Sequence, residues 1–456
     1  MEKIFKLKYI GLALLAFAIN FCFTFQLSNL TVLLKFVGAS DASIPLLWLI
    51  PPLTGMLIQP IVGYLSDNSS TSYGKRKPYI IGWGICAAFS FLLLPLSSSI
   101  IYIVWFTFLI DCSINGSVEG LRALTADFFQ ENVTRTRAFS IFAFFSGLGG
   151  VFGAYLPNAI QKIFIGSDSE GNLSGAYFIP SNLVGGYIFT GILLLITLFY
   201  FFRQTKERPT RDAPITKGLF ISLVKELFFK AKSIKTEIKN THPIFLKVLT
   251  INCIAWIGIF TFWLYFSLCL AQQVYHLPRN VIISDSEHYK AIMHQVSLDV
   301  SYYFSLYLYV SLVFTLIVYH LSRYVKSEKI HGTALLLGGL GISLICFKTT
   351  PASMFFSCTC IGIFWGSLVV LPYVIVLKYL PKDRTGTYLG IFNISVTLPQ
   401  IFGGFMLPLI YNYIFKNHAN YTLFMAGFLI LISGFLWLRL FYLINNNSYQ
   451  ANMVNV

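Results

Sequence analysis

The chain has 456 residues, of which 56% are hydrophobic and only 11% charged, and it carries a formal net charge of +15. A soluble domain holds roughly 25% charged residues, so more than half of that inventory is missing and the soluble classes are excluded. The positive balance suits a nucleic-acid binder only if the basic residues gather in one stripe. Here they stand in short runs between apolar segments, as the excess of Lys and Arg on cytoplasmic loops requires, and no nucleic-acid partner is expected.

The first apolar run, from Tyr9 to about Leu34, follows Lys3, Lys6 and Lys8 and imitates a secretory signal. It far exceeds an h-region of roughly 7–15 residues, so a retained first membrane helix is expected. A spanning helix takes roughly 20 apolar residues. On that basis twelve are predicted, centred near residues 20, 55, 88, 113, 150, 192, 258, 310, 340, 366, 398 and 432. The stretches near 340 and 398 are the least apolar, being Gly-rich or polar.

Loop charge sets the expected orientation. Lys75 to Lys77, Arg135 with Arg137, the 203–243 segment, Arg323 to Lys329 and Lys378 to Arg384 fall on one side. The opposite loops hold Asp168, Glu170, Asp285 and Glu287. With an even helix count, both termini and every basic loop are expected in the cytoplasm. The organisation predicted is a six-helix bundle over 1–202, a cytoplasmic basic linker over 203–243 and a second six-helix bundle over 244–456. Within the linker, Val224 to Lys230 reads either as an amphipathic surface helix or as part of a simple basic tether. A weak repeat relates the halves: Leu65-Ser-Asp-Asn…Gly74-Lys-Arg-Lys77 to Leu321-Ser-Arg-Tyr…Lys329, and Thr134-Arg-Thr-Arg137-Ala-Phe-Ser-Ile-Phe to Asp383-Arg-Thr-Gly386-Thr-Tyr-Leu-Gly-Ile-Phe392.

The fourth predicted helix contains Asp111-Cys-Ser-Ile-Asn115-Gly-Ser-Val-Glu119-Gly-Leu-Arg122-Ala-Leu-Thr-Ala-Asp127. At roughly 100° per residue, Asp111, Asn115, Glu119 and Arg122 share one face. Starting from Ile100, a rise of roughly 1.5 Å per residue puts Asp111 about 15 Å deep, near the bilayer midplane. A carboxylate there is costly unless it meets water, a partner or a proton. An apolar setting favours the neutral acid, which makes Asp111 the candidate proton carrier. Glu119 with Arg122 serves either coupling or a structural ion pair, and the residues leave both readings open.

The second helix and its loop read Pro51-Pro-Leu-Thr-Gly55-Met-Leu-Ile-Gln59-Pro60-Ile-Val-Gly63-Tyr-Leu-Ser66-Asp67, then Ser72-Tyr-Gly74-Lys75-Arg76-Lys77-Pro78-Tyr79. This resembles the loop signature of the major facilitator superfamily, in the version of the sucrose/proton symporters (the glycoside-pentoside-hexuronide and solute-carrier-45-like group). The resemblance implies an all-α membrane fold of twelve transmembrane helices in two pseudo-symmetric six-helix bundles. It also implies a gate formed by Gly63, Asp67, Gly74 and Arg76. The fourth helix is similar to that of the same family, with an Asp followed eleven residues later by Arg in Arg122-Ala-Leu-Thr-Ala-Asp127, and with Asn115 matching. Glu119 departs from it, and leaves open which acid carries the proton. The resemblance extends to Gln26-Leu-Ser-Asn-Leu in the first helix and to Gly390-Ile-Phe-Asn-Ile-Ser-Val-Thr-Leu-Pro-Gln400 in the eleventh.

A sugar presents hydroxyls at its edge and C–H patches on its faces, so its site combines amides or carboxyls with flat aromatic rings. Gln26, Asn115, Trp263, Asn393 and Gln400 are the candidates for substrate binding. Aromatic residues also form interface belts, which is the competing use of the many Tyr and Trp. The eight cysteines lie in or beside apolar segments, and Cys358-Thr-Cys360 is too tightly spaced for the usual zinc pair. No phosphate-binding loop or His-Glu-x-x-His motif is present in the sequence.

The expectation is therefore a proton-coupled symporter of sucrose- or maltose-like glucosides, not an enzyme, with Asp111, Glu119 and Arg122 in coupling and alternating access as its mechanism. It needs no cofactor and no metal, only the proton as coupling ion. It works as a monomer in the bilayer, multi-pass, in the cell membrane (the inner membrane in a bacterium), on a small-molecule sugar. A sodium-coupled or other-solute carrier, an intramembrane enzyme and a transport-dead sugar sensor are the alternatives.

Overall fold

The computed structural model of the chain describes residues 2–445 except 42, 68–70, 98, 130, 167–178, 208–242, 282, 284–285, 348 and 379–384. At 2–9, 132–133, 136, 319, 385–390 and 445 only the backbone is described. Among the described residues twelve long helices follow one another and no strand occurs. They are α1 (Glu2–Phe36), α2 (Ile50–Asp67), α3 (Lys77–Leu93), α4 (Ile100–Phe128), α5 (Asn132–Ile160), α6 (Ser181–Gln204), α7 (Pro243–Gln273), α8 (Glu287–Leu321), α9 (Ser327–Ile345), α10 (Pro351–Leu368), α11 (Thr385–Leu409) and α12 (Ala419–Asn445).

Eleven stretches are long and apolar enough to cross a membrane among the described residues, and α9 is the one that falls short. The reason is compositional. Its first turns carry Ser327, Glu328, Lys329 and His331, and its middle is rich in glycine. Those glycines serve packing: a Cβ on Gly339 would stand 2.7 Å from the Gly427 carbonyl oxygen of α12, and one on Gly338 2.3 Å from Phe364 Cβ of α10. Small residues of this kind let membrane helices approach closely where lipid gives no hydrophobic drive.

The chain divides into two compact units. The first comprises Met1–Ser40, Leu47–Ala231 and Val281–Ser305; the second comprises Asp41–Leu46, Lys232–Asn280 and Leu306–Val456. The first turns of α8 thus pack with the first unit, where the Asn158 amide donates to the Leu298 carbonyl (2.6 Å) and the Ser301 hydroxyl to the Ala154 carbonyl (2.5 Å). Most of the 203–243 segment, with the Val224 to Lys230 stretch, lies outside the described residues.

In the first unit α5 lies against α1 along a glycine seam. A Cβ on Gly149 would come within 2.1 Å of the Phe17 carbonyl oxygen, and one on Gly153 within 2.3 Å of that of Phe21. Both α5 and α11 carry a proline shortly before a π-helical turn: Pro157 before Gln161–Ile165, and Pro408 before Ile410–Ile414. Proline supplies no N–H to its helix, and the wider turn lets the chain end there. In the second unit α7 is the most enclosed span, with 83% of its central window buried. Large apolar side chains such as Ile101, Trp105, Phe152 and Phe428 face outward, as a lipid-facing surface requires.

Candidate functional site

Asp111 lies in the middle of α4 and is only 2% exposed. Its Oδ2 accepts a hydrogen bond from Gln26 Nε2 of α1 at 3.3 Å, and the same amide nitrogen lies 3.5 Å from the Thr107 carbonyl oxygen. Asp111 forms no ion pair among the described residues, so its charge has no cation beside it. Asn115 adjoins the same carboxyl-bearing stretch. Asn115, one turn along, donates to the Asp111 carbonyl (2.9 Å) and the Thr54 hydroxyl (3.3 Å), and accepts from Gln59 Nε2 at 2.7 Å.

Thr54 and Gln59 of α2 thus join the cluster, a role that sequence reasoning had not assigned. The available signal was their polarity within an otherwise apolar helix. Gly55 of α2 lies beside Asn115, where a Cβ would sit in ordinary contact at 3.5 Å from its Oδ1.

Access along the polar face is graded: Asp111 is buried, Asn115 and Glu119 are intermediate, and Arg122 is exposed. Glu119 lies in the electrostatic field of Arg122, Arg76 and Asp67. No ion pair within 4.0 Å joins it to Arg122 among the described residues, so the structural salt bridge left open by the sequence is not formed. Glu119 instead turns toward α2, where a Cβ on Gly63 would lie 4.0 Å from its Oε1.

The loop between α2 and α3 is built around Arg76, which is 6% exposed. Its guanidinium uses its whole fork: Nε donates to Asp127 (3.1 Å), Nη1 to the Ser66 hydroxyl (2.6 Å) and the Gly63 carbonyl (3.5 Å), and Nη2 to Asp67. Lys75 adds an ion pair to Asp127 at 3.5 Å. The proposed gate residues Gly63, Asp67 and Arg76 therefore meet at one guanidinium.

Gly74 has a different reason for being glycine. Its φ is +102°, and a Cβ there would stand 2.3 Å from the Glu207 carboxyl carbon. Glu207 comes within hydrogen-bonding distance because of that bare backbone. It accepts from the backbone N–H groups of Lys75 (3.0 Å), Arg76 (3.1 Å) and Lys77 (2.9 Å), the orphan donors at the start of α3. Lys77 completes a reciprocal arrangement. Its Nζ donates to the Phe202 (2.8 Å) and Thr205 (2.7 Å) carbonyls at the end of α6, where a cation complements the helix dipole.

In the second unit Trp263 is 8% exposed and belongs to a three-ring cluster. It meets Trp365 edge-on at 5.2 Å and Trp256 at 6.3 Å, and Trp256 meets Trp365 at 5.9 Å. Asn393 is exposed and accepts from the Tyr373 hydroxyl at 3.0 Å. Gln400, 9% exposed, turns its amide back to the Val396 carbonyl at 2.9 Å. Asn393 and Gln400, both on α11, are thus held by different partners, Tyr373 outside that helix and Val396 within it. The Asp383–Arg384 part of the repeat lies outside the described residues.

A carboxyl enclosed in a helical membrane unit, an arginine-centred loop between α2 and α3, and twelve helices in two units stand together here. Residues 12–404 match the family described as Major Facilitator Superfamily. The chain belongs to the major facilitator superfamily. Its relatives in that superfamily include sucrose transport protein SUT2 of Oryza sativa subsp. japonica, 27% identical over 314 residues, which cover 62% of this chain and 60% of the relative. Sucrose transport protein SUC4 of Arabidopsis thaliana is 25% identical over 304 residues, covering 61% and 58%. The matches thus span 58–60% of the length of these curated relatives. Among solved structures, the nucleoside transporter NupG superposes with a TM-score of 0.65 at 13% identity, covering 95% of this chain and all of that one. A bacterial homologue of the human lysosomal transporter Spinster gives 0.66 at 13%, covering 96% and 97%. At these identities the structures show the fold alone. The chain is a multi-pass membrane protein of the superfamily, and the sucrose transport proteins among its relatives are transporters rather than enzymes.

Proposed function

We propose that the chain is a proton-coupled symporter of sucrose- or maltose-like glucosides. The observation that carries this reading is Asp111: a membrane-buried carboxyl, 2% exposed, bonded to an amide and to no cation among the described residues. Such a group is expensive as a bare charge and inexpensive as an acid, so proton uptake and release is the chemistry its setting favours. The sucrose transport proteins among its relatives support the substrate class.

In this mechanism a proton neutralises Asp111 while a glucoside occupies its site; the neutral, loaded protein reorients, and the empty protein returns after releasing both. Glu119 passes the proton between Asp111 and the cytoplasmic side, and the permanent charge of Arg122 favours its release. Gln26, Asn115, Asn393 and Gln400 are the residues proposed to hydrogen-bond sugar hydroxyls. Trp263 supplies an apolar face for C–H patches. Gly63, Asp67, Gly74 and Arg76 form the cytoplasmic gate, made in one state and broken in the other, as alternating access requires. The protein works as a monomer in the cell membrane with both termini in the cytoplasm, and the proton is its coupling ion with no further cofactor.

The test is uptake of radiolabelled sucrose and maltose into proteoliposomes with and without an inward proton gradient. Accumulation above equilibrium, abolished by a protonophore, is the expected result. Uptake that ignores the gradient, or no uptake of any glucoside, sinks the proposal.

A further inference from the structure

The N-cap residue of α3 is Arg76, and its side chain makes no capping bond. N-caps are ordinarily Ser, Thr, Asp or Asn, whose oxygens accept from the first N–H groups of the helix. A guanidinium has no acceptor to offer. Its charge also stands at the positive end of the helix dipole, where a cation is disfavoured. The placement is unfavourable on both counts, yet Arg76 is buried there.

The backbone donors of this turn are nevertheless all placed. Pro78 has none, and Tyr79 and Ile80 donate to the Arg76 carbonyl at 3.1 and 3.2 Å. The three that remain belong to Lys75, Arg76 and Lys77, and all of them go to Glu207. Both carboxylate oxygens lie 3.1 Å from the Arg76 nitrogen, one shared with Lys75 and the other with Lys77. The cap therefore comes from 131 residues along the chain, and it carries the negative charge that the helix end favours.

This division of work frees the Arg76 side chain for Asp67, Ser66, Gly63 and Asp127. It also gives Glu207 a hold on the backbone at both sides of the residue that carries the fork. The turn before it is closed separately: the Thr71 hydroxyl donates to the Gly74 carbonyl at 2.5 Å, and the Gly74 N–H to the Thr71 carbonyl at 3.2 Å. Rings and charge tie the same loop to the end of α6. Lys77 Nζ lies 4.3 Å from the centroid of the Phe202 ring, and the Tyr73 ring meets Phe202 at 6.0 Å. With the two carbonyl bonds of Lys77, the Arg76 loop and the end of α6 form one body.

We infer that Glu207 is a positioning residue for the gate: seated on the backbone N–H groups of Lys75, Arg76 and Lys77, it does the capping that an arginine cannot, and so holds the guanidinium on Asp67 and Asp127. The inference rests on the reading of Arg76 as a gate residue. It goes beyond a stabilising cap, because it makes the dwell of the Arg76 fork, and with it the rate of reorientation, depend on a carboxylate that touches neither substrate nor proton path.

The experiment pairs limited trypsin digestion of the full chain in detergent with radiolabelled sucrose uptake in proteoliposomes, both well below the melting transition. Trypsin cuts after Arg76 only when the guanidinium leaves its partners. Cleavage after Lys35, which is 1% exposed in the same unit, reports general unfolding. In Glu207→Gln, cleavage after Arg76 is expected to rise about fivefold relative to cleavage after Lys35, and turnover to fall about fivefold at unchanged half-saturation, within the coupling range of residues in one network. Glu207→Asp, which keeps the charge, should recover part of both and keeps the test open if the glutamine variant folds poorly. Glu207→Gln with Arg76→Lys should be no slower than Arg76→Lys alone, because residues acting as one unit are not additive. A lower melting temperature with parental turnover, or cleavage that rises equally at Arg76 and Lys35, overturns the inference and leaves only a cap. If no sucrose moves, or if Arg76→Lys keeps parental turnover, the symport or gate reading falls, and the positioning of Arg76 is decided by the cleavage ratio alone.

Discussion

Replacing Glu207 by alanine should loosen the first unit without touching the membrane-buried carboxyl. The Glu207 carboxylate accepts from three consecutive backbone N–H groups at 2.9–3.1 Å, at the positive end of α3. Hydrogen bonds to a charged group contribute about 1.5–3 kcal/mol each when enclosed, and an acid at a helix N-terminus about 0.3–1 kcal/mol more. Glu207 is only half-buried, so water replaces much of what it gives. Roughly 2 kcal/mol in total is the reasonable expectation for the three contacts after that screening. For a unit of this size that corresponds to a fall in melting temperature of about 4–8 °C. Thermal unfolding in detergent, read by tryptophan fluorescence at matched protein and lipid, measures it. Glu207→Gln keeps one acceptor oxygen and should fall between the alanine variant and the parent. Gly74→Ala should cost at least as much, because its Cβ would meet Glu207 at 2.3 Å with φ at +102°. A Glu207→Ala protein that melts within a degree of the parent refutes the capping argument.

Three further outcomes follow from the same geometry. Asp111→Asn keeps an acceptor for Gln26 but cannot release a proton; it should abolish gradient-driven accumulation while sparing sugar exchange, and normal accumulation would remove Asp111 as carrier. Arg76→Lys replaces a fork that meets Asp67, Asp127, Ser66 and Gly63 with a point charge; transport turnover should fall about tenfold with little change in sugar affinity, and unchanged turnover would count against the gate. Trp263→Leu removes one ring of the cluster with Trp256 and Trp365; half-saturation for sugar should rise about tenfold, consistent with losing roughly 1.4 kcal/mol of stacking, and unchanged half-saturation would place the ring outside the sugar site.

Much of the architecture was readable because each helix announces itself as an apolar run of membrane length. The exception, α9, was hard to read for a physical reason: glycines that permit close approach to α10 and α12 lower its hydropathy. The Asp111 face was readable from helical spacing alone. Its partners were readable only in part. Gln26 stood out as an amide in an apolar run. Spacing suggested that Glu119 and Arg122 pair, but spacing fixes a shared face, not side-chain direction, and Glu119 turns to the bare backbone at Gly63. Glu207 meets the α2–α3 loop from about 130 residues away. The reading of Lys77 as a topology charge therefore missed its bonds to the end of α6.

The glycine seam between α1 and α5 has a consequence for how finely the proton site is tuned. Phe21, whose carbonyl oxygen lies against Gly153, stands five residues before Gln26 on α1, about 7.5 Å along the axis. A single methyl group on Gly153 would force the two helices apart by on the order of 1 Å, a misplacement that can cost a hundredfold in function. The Gln26–Asp111 contact, at 3.3 Å, has no slack to absorb it. The residues with the least chemistry in this unit thus hold its most demanding tolerance: the alignment of the amide with the acid is calibrated by two hydrogen atoms on the far side of the helix.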